Sequence, residues 1–233
     1  MTAQVEWLEV VGDRDVWRSL GLVVGDDGLV PLMGACLKIT EPEAHDAAGI
    51  VGWALSGLEP AWSGSLIDGL VTTEVETAGP VFAHHELGAS GLDHVVVMTS
   101  DLERTTDSIA AATGCELKRI REVGSMRQGF HRIGRGGLVV EVVEQGDAVH
   151  AGVEDGPDDG GSASFWGVVI NVDDLDAACE RIGADRISAP KDAVQPGRRI
   201  ATISGSVGLG VPVALMTTGP TGGSPSGRAR GDG

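Results

Sequence analysis

The sequence predicts an α+β fold made of tandem βαβββ units. These form curved, half-open mixed sheets, with a truncated pair of units at the N-terminus and a complete pair after it. Three observations lead to this expectation. The stretch GLDHVVVMTSDLERT, from Gly91 to Thr105, is repeated in outline as FWGVVINVDDLDAAC, from Phe165 to Cys179. Each copy is an apolar strand running into an Asp-Leu start of a helix, and further strand-like segments follow each one. The same order can be traced in shorter form before residue 78, and internal repeats of this kind decide an architecture before any motif does.

In chain order, VEWLEVV reads as a strand, DRDVWRSLG as a short helix, and LVV, LVP and GACLKIT as the strands that follow. GIVGWALSGLE then resembles the opening strand of another unit. Laying GACLKITE on GLVVEVVE puts Gly34 on Gly137, Lys38 on Glu141 and Glu41 on Glu144. From Leu92 to Met98 the spacing predicts a strand. A helix opened by Ser100 or Asp101 runs to about Thr113, with Gly114 as its C-cap. CELKRIRE, RQGFHRIG and GLVVEVVE complete this unit as strands. After the glycine- and acid-rich loop GDAVHAGVEDGPDDGGSAS, Phe165 to Val172 is the next strand and Asp174 to Ile182 the next helix, closed by Gly183. RRIATISG and GVPVALMTT are its later strands.

Composition bounds the function. A chain of 233 residues with 42% hydrophobic content has enough apolar side chain for a real core. With 34 acidic against 17 basic residues the net charge is -17, which repels phosphate backbones and anionic bilayers, so neither nucleic acid nor membrane is expected as a partner. The cysteines Cys36, Cys115 and Cys179 are odd in number and widely spaced, which fits a reducing cytoplasm. The acidic N-terminal stretch lacks the basic end and unbroken apolar run of an export signal. The charge-free run from Ile200 to Gly227 is interrupted by Gly205, Gly208, Gly210 and Pro212, so it reads as strand, glycine turn, strand rather than as a membrane span.

The segments DHVVVMTSDLERT, RQGFHRIGRGGLVVEVVE and FWGVVINVDDLDAACERIGA resemble the vicinal oxygen chelate superfamily, also called glyoxalase-like or glyoxalase/bleomycin-resistance proteins. The shortened order over residues 1–78 reads as a degenerate pair of units, residues 79–90 as a linker and the low-complexity stretch 219–233 as a disordered tail, and with the resemblance the first becomes a shortened glyoxalase-like domain and residues 91–218 a complete one. The resemblance also implies a cavity between paired units that takes a small organic molecule. In metal-using members a ligand sits near the start of the first strand of each unit and a glutamate lies on its last strand. Here His94 and Glu141 match in the first unit, whereas Gly167 and Ala214 stand in those places in the second.

Two protein ligands hold a catalytic divalent ion poorly, since such sites normally use three. The expectation is therefore a binding protein without a complete metal site and without a required cofactor. The alternative is a metal-dependent lyase, isomerase or dioxygenase whose missing ligands come from elsewhere. His94, Glu141, His131, Arg127, Trp166, Gly167 and Ala214 are the candidate ligand-binding residues, with His94 and Glu141 as the candidate metal donors. Gly167 and Ala214 are expected to widen the cavity. The family pairs units within or between chains, so a homodimer is compatible with the repeat. FAHHELG lacks the second histidine of a zinc-protease helix, and GLG at Gly208 lacks the rest of a dinucleotide loop.

Overall fold

A computed structural model describes residues 3–42, 48–62, 64–79, 81–134, 137–145 and 161–219. Most of the loop that separates the two complete units, and almost all of the C-terminal tail, lie outside the described residues. Two mixed sheets hold two pairs of units. The N-terminal sheet contains β1 (Gln4–Val11), α1 (Arg14–Ser19), β2 (Leu29–Val30), β3 (Cys36–Thr40), β4 (Gly49–Ser56), β5 (Leu66–Ile67) and β6 (Leu70–Glu74). Its six strands run in the order β2-β3-β1-β4-β6-β5.

The second part opens with β7 (Ala89–Thr99), α2 (Leu102–Thr113), β8 (Arg119–Val123), β9 (Met126–Ile133) and β10 (Leu138–Gln145). It continues with β11 (Ser164–Val172), α3 (Leu175–Ile182), β12 (Lys191–Asp192), β13 (Arg199–Thr202) and β14 (Val213–Thr217). The eight strands take the order β12-β13-β14-β11-β7-β10-β9-β8. The opening strands β7 and β11 pair antiparallel at the centre, and each carries the last strand of its own unit parallel on its outer side. This is the α+β, glyoxalase-like arrangement of two βαβββ units in one open sheet.

Local sequence explains the elements. Asp101 caps α2 by accepting from the Arg104 amide, and Gly114 ends the helix at φ 66, a left-handed conformation that glycine adopts without steric cost. Asp174 caps α3 in the same way through the Ala177 amide. α2 packs on β9 and β10, and α3 on β13 and β14, so the helices cover one face of the sheet. Val95, Val97, Val140 and Val142 point into that covered core and are fully buried. The alternate positions face the other way and form the floor of the site described below. β7 begins at Ala89, ahead of the Leu92 expected from the sequence, because Ser90 and Gly91 still pair with the bridge at Met33 and with β11.

The N-terminal sheet repeats the central pairing residue for residue. Trp7 faces Cys36 on β3 as His94 faces Val139 on β10. Glu9 faces Gly52 on β4 as Val96 faces Gly167 on β11. Among the described residues each N-terminal unit has one strand fewer than its complete counterpart, LVV forms no strand, and β4 leads to β5 and β6 without a helix between them.

The two sheets share a continuous core. Trp53 of β4 meets Phe165 of β11 edge-on, with ring centroids 5.3 Å apart. The Leu92 amide donates to the Met33 carbonyl at 2.8 Å. His85 receives the Val23 amide on Nδ1 at 2.9 Å and donates from Nε2 to the Pro31 carbonyl at 2.7 Å, so this histidine is a satisfied structural bridge. Asp68 salt-bridges Arg104 at 2.8 Å and accepts from the Thr105 hydroxyl, tying β5 to α2. Among the described residues no helix is long and apolar enough to cross a membrane.

Trp17 is fully buried, and its Nε1 donates to the Leu209 carbonyl at 3.2 Å across 192 positions of sequence. Trp17→Phe keeps most of the apolar contact but orphans that carbonyl. A loss of about 1–2 kcal/mol is expected in urea unfolding, with the slope of the transition unchanged.

Candidate functional site

The site begins with an irregularity in β7. His94 faces Val169 and Leu92 faces Ile170, so β7 spends one extra residue, Asp93, against an uninterrupted β11. A bulge of this kind turns consecutive side chains toward the same face. Asp93 and His94 accordingly both line a cleft of about 280 Å³. The first unit contributes Leu92, Phe130, Arg132, Val139 and Glu141 to its walls, with Arg119 from the edge strand, and the second unit contributes Asn171, Gln195 and Arg198.

A polar chain runs through this cleft. His94 Nδ1 lies 2.8 Å from Asp93 Oδ2. The other Asp93 oxygen, Oδ1, is 2.8 Å from an amino group of Arg198. That same Arg198 nitrogen donates to Asn171 Oδ1 at 2.5 Å, and Arg198 Nε donates to the Thr217 carbonyl at 2.7 Å, which fixes the guanidinium against β11 and β14. On its other side His94 Nε2 faces Glu141 Oε2 at 3.5 Å, long for a hydrogen bond. Gln128 donates to the second Glu141 oxygen, Oε1, at 2.7 Å.

The electrostatics follow from these contacts. Burial alone would raise the Asp93 carboxyl, but hydrogen bonds from His94 and Arg198, together with their charges, outweigh it and hold Asp93 well below the usual carboxylate range. An ionised Asp93 can only accept, so Nδ1 of His94 is the donor and Nε2 is the nitrogen presented to the cleft. Glu141 shifts the other way. Burial raises it, and the charges of His94, Arg121 and Arg119 only partly offset that effect. A carboxyl with a raised pKa beside an oriented imidazole can exchange a proton with a bound molecule.

The sequence-derived candidates divide into several groups. His94 and Glu141 meet in the cleft. His131 projects from the opposite face of β9. It is 1% exposed, and its Nδ1 lies 2.9 Å from the Cys115 carbonyl, while its Nε2 has no hydrogen-bond partner among the described residues. Arg127 lies at the far end of β9, where it bridges Glu103 at the start of α2 and Glu144 of β10. Trp166 is 54% exposed and sits in a second bulge, at the start of β11.

Gly167 does not widen the cleft as its size suggested. A Cβ there would stand 2.8 Å from the Pro212 carbonyl oxygen, so the position is filled by close backbone packing. Ala214 pairs with Val169, which pairs with His94, so it shares the sheet face of the site two strands away from the histidine. Asp93 and Arg198 carry no signal in a strand-alternation pattern, and only the bulge and the return of the second unit bring them in.

In the N-terminal sheet the places of His94 and Glu141 are taken by Trp7 and Lys38. The Lys38 ammonium stands 5.3 Å from the Trp7 ring centroid. The bulge is also repeated there, at Glu6. Glu6 accepts from Ser56 at 2.5 Å, and Ser56 occupies the place of Asn171. A second depression, of about 340 Å³, lies between β5 and α2 beside Trp62, Leu66 and Ser108. Its one charged group, Asp68, is already engaged by Arg104 and Thr105.

Residues 91–201 match the model of the Glyoxalase/Bleomycin resistance protein/Dioxygenase superfamily. Among solved structures, the chain is similar to methylmalonyl-CoA epimerase from Mycobacterium tuberculosis, at 20% identity and a TM-score of 0.48 over 59% of this chain and 94% of that one. It is also similar to the Streptomyces coelicolor methylmalonyl-CoA epimerase in complex with 2-nitronate-propionyl-CoA, at 19% identity and a TM-score of 0.43 over 57% of this chain and 96% of that one. No curated protein matches the chain.

Two pH effects follow. Asp93, held low in the folded state, contributes stability above the unfolded carboxyl value of about 3.9 and loses it as pH falls further. Asp93→Asn is therefore expected to be less stable than the native chain at pH 7, with the gap closing progressively below about pH 4 in urea titrations. Burial lowers His131, so the folded state resists protonating it, and stability drops as pH falls below about 6.5. Unfolding at pH 7.5 and 5.5 is expected to show a smaller acid loss in His131→Gln than in the native chain.

Proposed function

We propose that this chain binds a small organic molecule in the cleft shared by its two complete units and does so without a complete catalytic metal site. The observation that carries this is the composition of the cleft, which joins an oriented imidazole, a carboxyl raised by burial and arginines around an apolar floor of Leu92, Phe130 and Val139. A divalent ion fits this set poorly. Among the described residues no group of three or more His, Cys, Asp or Glu side chains converges as ligands would. Both Asp93 oxygens are engaged, by His94 and Arg198, and the matching positions of the second unit are Gly167 and Ala214.

One observation favours the second function, a metal-dependent lyase, isomerase or dioxygenase. The bond from Asp93 to His94 Nδ1 is the arrangement that orients a metal-binding imidazole. His94 Nε2 and Glu141 would then be the donors, with others supplied by a ligand or a second chain.

Two measurements separate these functions. Elemental analysis of protein purified without added metal is expected to show no stoichiometric iron, zinc, manganese or nickel. Stoichiometric metal that is lost in His94→Ala would overturn the metal-free function. In amide correlation spectra, small organic fragments are expected to shift Leu92–Val95, Phe130 and Val139–Glu141, and hits confined to other surfaces would overturn ligand binding at this cleft.

A further inference from the structure

Resting on ligand binding at this cleft, we propose that its occupant is a small organic oxyanion, a carboxylate or phosphate ester, whose charge is taken up by Arg119, Arg121 and Arg132. The chain has 34 acidic residues against 17 basic ones, so carboxylates are in excess everywhere. Arginines elsewhere use that excess, as Arg104 does with Asp68, Arg127 with Glu103 and Glu144, and Arg199 with Asp176. Arg119, Arg121 and Arg132 form no such salt bridge among the described residues, although they are grouped on one corner of the sheet.

The register shows the grouping. Arg119 faces Phe130 and Arg121 faces Gln128 across β8 and β9, and Arg132 faces Val139 and Phe130 faces Glu141 across β9 and β10. Side chains at these alternating positions share the face that carries Glu141 and the cleft. The Arg119 guanidinium lies over the Phe130 ring at 4.5 Å, which supports it at the rim with its donors open to a ligand. Arg132 uses one amino group on the Gly137 carbonyl at 3.1 Å and keeps the other nitrogens. Arg198 adds a further positive charge from the second unit, one already matched by Asp93.

Clustered like charges repel, and Glu141 balances only part of this cluster, so an incoming anion relieves a cost the folded chain already bears. A guanidinium fork matches carboxylate and phosphate oxygens in two-point geometry. In a chain of net charge -17 the surrounding field repels anions, so a local basic corner is what would make a cleft selective for them. The volume of about 280 Å³ suits an acid of a few carbons.

The test is calorimetric titration of the full chain with succinate, glycerol phosphate and, as the neutral control, succinamide, with binding located by amide shifts. At least one anion is expected to bind with shifts at His94 and Phe130, and succinamide is not. Affinity should fall about tenfold or more in Arg119→Gln and in Arg132→Gln, both rim substitutions, with the amide spectrum of each variant still that of the folded chain. The preferred anion distinguishes carboxylate from phosphate. Succinamide binding as well as succinate would overturn the anion class while leaving the ligand-binding function standing. Absence of cleft shifts with either anion at millimolar concentration, or retained affinity in both variants, would also overturn it.

Discussion

The site depends on a single extra residue in the central antiparallel pairing of β7 with β11. Without Asp93 as a bulge, strict alternation would send Asp93 into the helix-covered core and only His94 into the cleft. With it, the carboxylate and imidazole point the same way, and Arg198 of the second unit can reach the carboxylate. A half-buried, ionised Asp93 is tolerated because both oxygens are matched by donors. The bulge, the arginine and the orientation of His94 are therefore one interlocked feature, and the cleft walls are arranged around it.

The duplicated N-terminal sheet shows what the backbone imposes and what side chains choose. The pairing register and the acidic bulge residue recur, with Glu6 in the place of Asp93. Yet Glu6 is bonded to Ser56 and to the Ala78 amide, and Lys38 stacks over Trp7, so the polar groups there are used up within the protein. In the second sheet His94 Nε2 and Glu141 stand too far apart to satisfy one another fully. One edition of the fold closes its site with a cation over an aromatic ring, and the other leaves an acid and a base facing a cleft.

Much of this was legible in the sequence, for identifiable reasons. The unit order, both helix caps and the alignment of Lys38 on Glu141 rest on local pattern and capping chemistry, which survive any tertiary context. The meeting of His94 with Glu141 follows from parallel pairing of the first and last strands of a unit. Asp93 and Arg198 were not legible, because a bulge breaks the period of two and Arg198 arrives from a turn rather than a strand. His131 and Arg127 read as cleft residues only if the phase of β9 is left free. Once Phe130 and Arg132 are fixed toward the cleft, His131 must face α2. Gly167 looked like removed volume, but a glycine also permits close backbone approach, and here Pro212 fills the space.

The central claim is that the bulge makes Asp93 an ionised acceptor for His94 Nδ1 and so commits Nε2 to the cleft. Long-range proton–nitrogen correlation of the His94 ring at neutral pH tests this most directly. The account predicts a protonated Nδ1 whose hydrogen-bonded proton resonates far downfield. An Nδ1 without a proton would contradict it.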